Sequence, residues 1–233
     1  MLFEDRVDAA KQLAQKLKEY LDNNITTQRG ELKYNDTVII LAIPRGGVIV
    51  GDILASMLDV KLDIIVSRKM GAPDNPELAI GAVMPDGSYS LNRDIVDMLN
   101  VPRSYITDEA NIQKREIERR LIMFKGKEGT HYDDNNLEGK TVVLVDDGIA
   151  TGATILSATQ WLKTKQNYSK TLIVAVPVAP LDVVDKMNEL SYKVVVLHTP
   201  KMFGSVGRFY RNFEQITDAQ VREIMIRHGY RPS

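Results

Sequence analysis

The residues with the clearest capacity for chemistry lie in VVLVDDGIATGAT, residues 142–154. Two adjacent carboxylates, Asp146 and Asp147, end an apolar run, and the following Gly148, Ala150, Gly152 and Ala153 keep side chains out of the way. Successive backbone N–H groups of such a loop can close on an anion at the start of a helix, with the Thr151 and Thr154 hydroxyls as further donors. The composition is that of a phosphate loop. It sits at the carboxyl end of a strand, where open parallel sheets bind their ligands.

Two commoner phosphate loops do not fit. A Walker loop needs a lysine directly after its last glycine, and here Ala153 follows Gly152. The dinucleotide fingerprint sets three glycines ahead of any acid, with its carboxylate about 20 residues further on. In this chain the acids come first and adjoin the loop, so the group they bind and the phosphate are a sugar's width apart. Paired carboxylates accept well from a vicinal diol. The pattern points to a ribose whose 2′- and 3′-hydroxyls meet Asp146 and Asp147 while its 5′-phosphate sits in Gly148, Ala150, Thr151, Gly152, Ala153 and Thr154.

DDGIATGAT resembles the motif by which type I phosphoribosyltransferases bind 5-phosphoribosyl 1-pyrophosphate (PRPP). The resemblance implies Mg²⁺-dependent transfer of the phosphoribosyl group between PRPP and a nucleobase or similar nitrogen acceptor, with release of pyrophosphate. Mg²⁺ would bridge the ribose hydroxyls and pyrophosphate, with Asp146 and Asp147 on the diol side, directly or through metal-bound water. AIPRGGV (42–48) is similar to the family's pyrophosphate loop, which implies that role for Arg45, Gly46 and Gly47 and a cis peptide between Pro44 and Arg45. Arg68 and Lys69 stand where relatives supply cations to pyrophosphate, and GAPDNPELA (71–79) resembles the mobile cover that closes over the sugar.

For the acceptor, the resemblance implies an aromatic over the base, here Phe203 of HTPKMFGSVGRFYRNF (198–213), with Arg208 and Tyr210 as polar neighbours. The general base stays unassigned, Glu77 of the cover being the residue to test. Hypoxanthine-guanine relatives carry an aspartate where this chain has Ala150, so the site looks more like the adenine, uracil or orotate branches. The family also implies a homodimer. The alternative on the same fold is a regulator that keeps the PRPP pocket as a sensor, without transferase activity. A PRPP-making diphosphokinase is expected to be longer and to carry an ATP site.

The elements that position these residues follow from periodicity. TVIILAI (37–43), KLDIIVSRK (61–69), TVVLVDD (141–147), TLIVAVPVA (171–179) and YKVVVLH (192–198) are continuous apolar runs, which suit strands covered on both faces. Helices are expected over VIVGDILASML (48–58), TGATILSATQWLK (151–163) and LDVVDKMNEL (181–190). The result is an α/β, doubly wound, mostly parallel sheet of about five strands with helices on both faces. Phe3, Val7, Ala10, Leu13, Leu17 and Leu21 mark an N-terminal amphipathic helix with a structural role. Residues 71–92 read as a mobile loop and a hairpin of AIGAVM with SYSL, followed by a helix over 104–124 with Ile106, Ala110, Ile117 and Leu121 on one side. Thr217 and Gln220 form a capping box for a last helix. One domain over 1–233 is expected, with 71–130 a flap and hood insertion and 198–233 completing the hood.

Composition narrows the function classes. A formal net charge of −1, with 44% hydrophobic and 26% charged residues, argues against nucleic acid or membrane as partners and leaves any charged site local. The chain has no cysteine, and His131, His198 and His228 are too scattered for a histidine cage, so a metal would be hard and oxygen-bound, such as Mg²⁺. The acidic start MLFEDRVDAAK lacks a basic and then apolar leader, which sets the expectation of a cytoplasmic protein.

Overall fold

Five of the apolar runs pair as one parallel sheet in the computed structural model, which describes residues 2–24, 34–127, 137–164, 171–190 and 192–232. The strands are β1 (Val38–Ala42), β2 (Lys61–Ile64), β6 (Thr141–Val145), β7 (Thr171–Val178) and β8 (Lys193–His198), in the order β2-β1-β6-β7-β8. Alternate side chains serve opposite faces. Ile40, Val143 and Ile173 pack in one core with α1 (Arg6–Asn24) and α2 (Gly46–Leu58). Ile39, Leu144 and Val174 pack in the other with α5 (Ala153–Thr164) and α6 (Leu181–Glu189). Burial on both faces explains why the strands read as unbroken hydrophobic runs.

The chain runs from β1 to β2 on one side and later returns to β6 on the other, so the order reverses between β1 and β6. This is the topological switch point, where a crevice opens beyond the carboxyl ends of the strands. Ala42 pairs with Val145, and the Ile43 N–H donates to Val145 O at 3.0 Å. The two loops that follow therefore leave the sheet at the same height.

The second apolar run departs from expectation. Residues 61–69 do not form one strand: β2 ends at Ile64, and β3 (Arg68–Ala72) opens a separate antiparallel sheet with β4 (Asn75–Val83) and β5 (Tyr89–Leu91). Gly71 allows the change. A Cβ there would lie 2.7 Å from Pro76 O, and the Tyr105 hydroxyl donates to Gly71 O at 3.0 Å. The stretch 71–79, read as a loop, is thus largely the irregular ladder of β3 with β4, with register shifts on both sides of Gly71. The hairpin of AIGAVM with SYSL is present as β4 with β5.

A short helix absent from the sequence reading, α3 (Arg93–Met98), starts at Asn92, whose side chain accepts from the Ile95 N–H. Helix α4 (Arg103–Lys125) buries Ile106, Ala110, Ile117 and Leu121 as its periodicity requires. The capping box of Thr217 and Gln220 opens α7 (Asp218–Arg227) with both reciprocal hydrogen bonds formed. His131 and the end of the 71–130 segment lie outside the described residues. Among the described residues, no helix is long and apolar enough to cross a membrane.

Helix α4 is tied to the parallel sheet by a buried ion pair, Lys125 Nζ to Asp63 Oδ1 at 2.8 Å, with the side chains 5% and 10% exposed. Removing one partner strands the other charge in the interior. Lys125→Met is expected to destabilise the fold by about 3–5 kcal/mol in urea unfolding, and Lys125→Met with Asp63→Asn by much less. Equal losses in the two variants would show that the pair contributes no specific electrostatics.

Candidate active site

Asp146 and Asp147 leave β6 and enter the switch-point crevice against the first turn of α2. A Cβ on Gly46 would lie 1.9 Å from Asp147 Oδ2, and one on Gly47 2.9 Å from both Asp146 Cα and Val145 O. Only glycine fits at either position. The Gly-Gly pair therefore has a steric reason beyond turn formation: it lets the acid-bearing strand end touch the neighbouring loop. The peptide between Pro44 and Arg45 is cis, as the loop's resemblance implied.

The two acids have different surroundings. Asp147 is clamped: its Oδ2 accepts from Arg6 Nε at 2.7 Å, and its carbonyl accepts from the Tyr210 hydroxyl at 2.5 Å. Asp146 Oδ1 accepts the Asp147 N–H at 2.8 Å, and Asp146 lines the adjoining pocket. Burial, and then the neighbouring Asp147 charge, push Asp146 well above the usual carboxylate range. Burial also raises Asp147, against the pull of the Arg6 guanidinium. Two half-buried acids side by side resist double ionisation, so a cation or hydrogen-bond donors brought to them are bound favourably.

The pocket beside Asp146 holds about 210 Å³ and is lined by Gly148 to Ile155 and by Val206. At roughly 30 Å³ per water molecule, it is a small-group site and not a dinucleotide cleft. Gly152 turns the chain with φ +77°, and a Cβ at Gly148 would lie 2.5 Å from Val206 Cγ1. The Ile149 N–H donates to Val178 O at 2.9 Å, whereas the N–H groups of residues 150–154 donate to no protein acceptor among the described residues. These donors and the start of α5 together form an anion cradle.

A larger cleft of about 830 Å³ adjoins the small pocket, sharing Ala150 and Thr151 and reaching Pro180, Asp182, Lys201 and Phe203. Phe203 is half-buried, its ring 5.2 Å from that of Phe209, and it lines this cleft. Arg208 folds over Gly204, its Nη1 2.5 Å from where a Cβ would sit.

Other sequence candidates lie differently. Arg45 stands at the N-cap position of α2 without a side-chain capping bond, and its guanidinium is 3.5 Å from Asp218 Oδ1. Arg68 and Lys69 belong to β3: Arg68 Nε donates to Gln113 Oε1 at 3.0 Å, and burial with the neighbouring Arg120 pulls its guanidinium down from the ordinary value. Lys69 Nζ pairs with Glu77 Oε2 at 3.2 Å across the β3–β4 ladder, so no described contact joins Glu77 to the acid pair. Tyr210 does not line the larger cleft. It is buried, with its hydroxyl spent on Asp147.

Sequence reasoning missed Arg6, in a helix given only a structural role. The available signal was a lone basic residue between Phe3 and Val7 of the apolar stripe, which does not distinguish it from a solvated arginine.

Comparison with known proteins shows the family of the chain. The profile of the Phosphoribosyl transferase domain matches residues 4–213. Rv0571c of Mycobacterium tuberculosis, whose name marks it as a provisional phosphoribosyl transferase, is 37% identical over 220 residues, covering 94% of this chain and 45% of that protein. The chain thus spans about half the length of the curated relatives it matches. The crystal structure of TT1426 from Thermus thermophilus aligns with 97% of this chain and 99% of that one, at 33% identity and a TM-score of 0.73. A ribose-phosphate pyrophosphokinase of Methanobrevibacter smithii is 29% identical over 82 residues, only 35% of this chain. By sequence profile, by relatives and by fold, the chain belongs to the phosphoribosyl transferase domain family.

Proposed function

We propose that the chain transfers the 5-phosphoribosyl group between PRPP and a nucleobase or similar nitrogen acceptor, releasing pyrophosphate in a Mg²⁺-dependent reaction like those of nucleotide salvage. The observation that carries this reading is the meeting of three features at the switch point: the acid pair, the cradle of residues 148–154 and the glycine loop 45–47. In this reading the cradle takes the 5′-phosphate, and the acid pair takes the ribose diol. Arg45, with the Gly46 and Gly47 backbone, takes pyrophosphate, helped from β3 by Arg68 and Lys69. The small and large clefts meet at Ala150 and Thr151, so a base in the larger one would lie next to the sugar, against Phe203.

The donor set suits Mg²⁺. Asp146 and Asp147 are adjacent carboxylates, and the described residues contain no cluster of three or more His, Asp or Glu that would close a cage. Mg²⁺ characteristically takes one or two protein carboxylates and completes its shell with substrate oxygens and water. When bound, it neutralises charge building on the leaving pyrophosphate.

As the C1′–O bond breaks, positive charge develops on the ribose ring, and the acceptor nitrogen forms the new C1′–N bond and loses its proton. The protein's contribution is mainly positioning and electrostatics. The three-stranded sheet and α4 form the hood in this reading, and the β3–β4 tip acts as the cover. Family membership also supports a homodimer working in the cytoplasm on small molecules, with neither nucleic acid nor membrane as a partner.

A PRPP sensor on the same fold is the second reading. It is favoured by Glu77, the candidate base, pairing with Lys69 and making no contact with the acids among the described residues. Incubation with PRPP, Mg²⁺ and a panel of purine and pyrimidine bases separates the two: acceptor-dependent pyrophosphate release is expected, and none with any base would support the sensor.

Ala153→Asp tests the cradle without straining the fold. Ala153 is exposed in the first turn of α5, where an acid is tolerated or mildly stabilising, but its charge would repel a phosphate. The free variant should melt at or slightly above the wild-type temperature. Saturating ribose 5-phosphate, worth about 2.7 kcal/mol of protection at a hundredfold excess over Kd, should no longer raise that temperature. An undiminished ligand shift would place the phosphate elsewhere.

A further inference from the structure

The N-terminal segment and residues 209–214 meet over the acid pair. Residues 2 and 3 donate their N–H groups to Phe209 O at 2.9 Å, and the Arg211 N–H donates to Phe3 O at the same distance. Tyr210 packs between Phe3 and Phe213, with ring centroids at 5.3 and 4.9 Å. Into this assembly α1 sends Arg6, whose side chain is 9% exposed. Its Nε donates to Asp147 Oδ2 at 2.7 Å, its Nη1 to Glu214 O at 2.8 Å, and its guanidinium carbon lies 3.8 Å from the centroid of the Phe213 ring.

A guanidinium held by a carboxylate, a carbonyl and an aromatic face has lost most of its freedom. Such a group fixes what it touches. Asp147 is held through its side chain by Arg6 and through its carbonyl by Tyr210, and it leans on Gly46. The N–H of this immobilised residue then donates to Asp146 Oδ1 at 2.8 Å. Asp146 is the member of the pair that faces the phosphate-sized pocket.

We propose that Arg6 is a positioning residue for ribose recognition: it holds Asp147 through Oδ2 and, through the Asp147 N–H, fixes the orientation in which Asp146 meets the diol beside it. The sequence reading treated the two acids as equivalent; the surroundings divide their work. Arg6 never touches the sugar. Its influence passes through Asp147 and the single N–H to Asp146, and it links the N-terminal helix to the ligand site without supplying a ligand atom.

This inference rests on the proposed ribose 5-phosphate site, and its test separates the two. Calorimetry compares ribose 5-phosphate with 2-deoxyribose 5-phosphate, which keeps the phosphate and lacks one hydroxyl, on wild type, Arg6→Met and Arg6→Lys. Wild type should prefer the ribose compound by about tenfold or more, the value of one charge-assisted hydrogen bond. In Arg6→Met that preference should collapse toward unity while 2-deoxyribose 5-phosphate still binds within about twofold of wild type. Arg6→Lys, which keeps the charge without the planar fork, should restore part of the preference. It also carries the test if the methionine variant does not fold.

Equal weakening of both ligands would reduce Arg6 to general structural support and overturn the proposal. So would a wild-type preference retained in both variants. Failure of wild type to bind either sugar phosphate would overturn the ribose site itself, and the positioning role with it.

Discussion

Everything at the switch point depends on one close approach, that of the Gly46–Gly47 backbone to Asp146 and Asp147. There is no space for a Cβ at Gly46, where it would lie 1.9 Å from a carboxylate oxygen, and barely more at Gly47. The parallel register of β1 with β6 delivers both loops to this contact, and the Ile43 N–H extends the ladder one residue past it. The sheet therefore acts as a ruler. It sets the Gly46–Gly47 loop against the loop that carries the two acids and the N–H groups of residues 150–154.

The electrostatics of this contact are local. The chain as a whole carries a formal charge of −1, yet two carboxylates are gathered where burial opposes their ionisation. One guanidinium offsets part of that cost at Asp147, and the start of α5 supplies positive potential next to Asp146. In the proposed reading a diol, a phosphate and a divalent cation together satisfy this arrangement better than the protein does alone. The N-terminal segment and residues 210–213 close the site from the other side: Phe3, Arg6, Tyr210 and Phe213 form one packed unit around Asp147.

Much of this was legible in the sequence because it depends on small residues and on strand ends. Close backbone approach permits only glycine or alanine, and the parallel strands, covered on both faces, had to be unbroken apolar runs. The acid pair, its loop and the Gly-Gly turn could be read on those grounds. Arg6 could not, because its pairing spans 141 residues, and a lone arginine at a helix start looks like any solvated charge. Tyr210 was misread for the same reason: proximity in sequence to Phe203 hid a side chain turned inward to Asp147. The merging of β2 and β3 has a different cause, since IIVSRK keeps its β-prone character through the point where the chain leaves one sheet for another.

The central claim is spatial: a ribose 5-phosphate lies with its phosphate in the cradle of residues 148–154 and its diol at Asp146. The most direct measurement is a crystal structure of the protein with ribose 5-phosphate and Mg²⁺. The phosphate oxygens are expected within hydrogen-bonding reach of the backbone N–H groups of residues 150–154, with a ribose hydroxyl donating to Asp146 and the Arg6–Asp147 pair intact. A phosphate bound elsewhere, or a sugar with its diol turned away from Asp146, would contradict it.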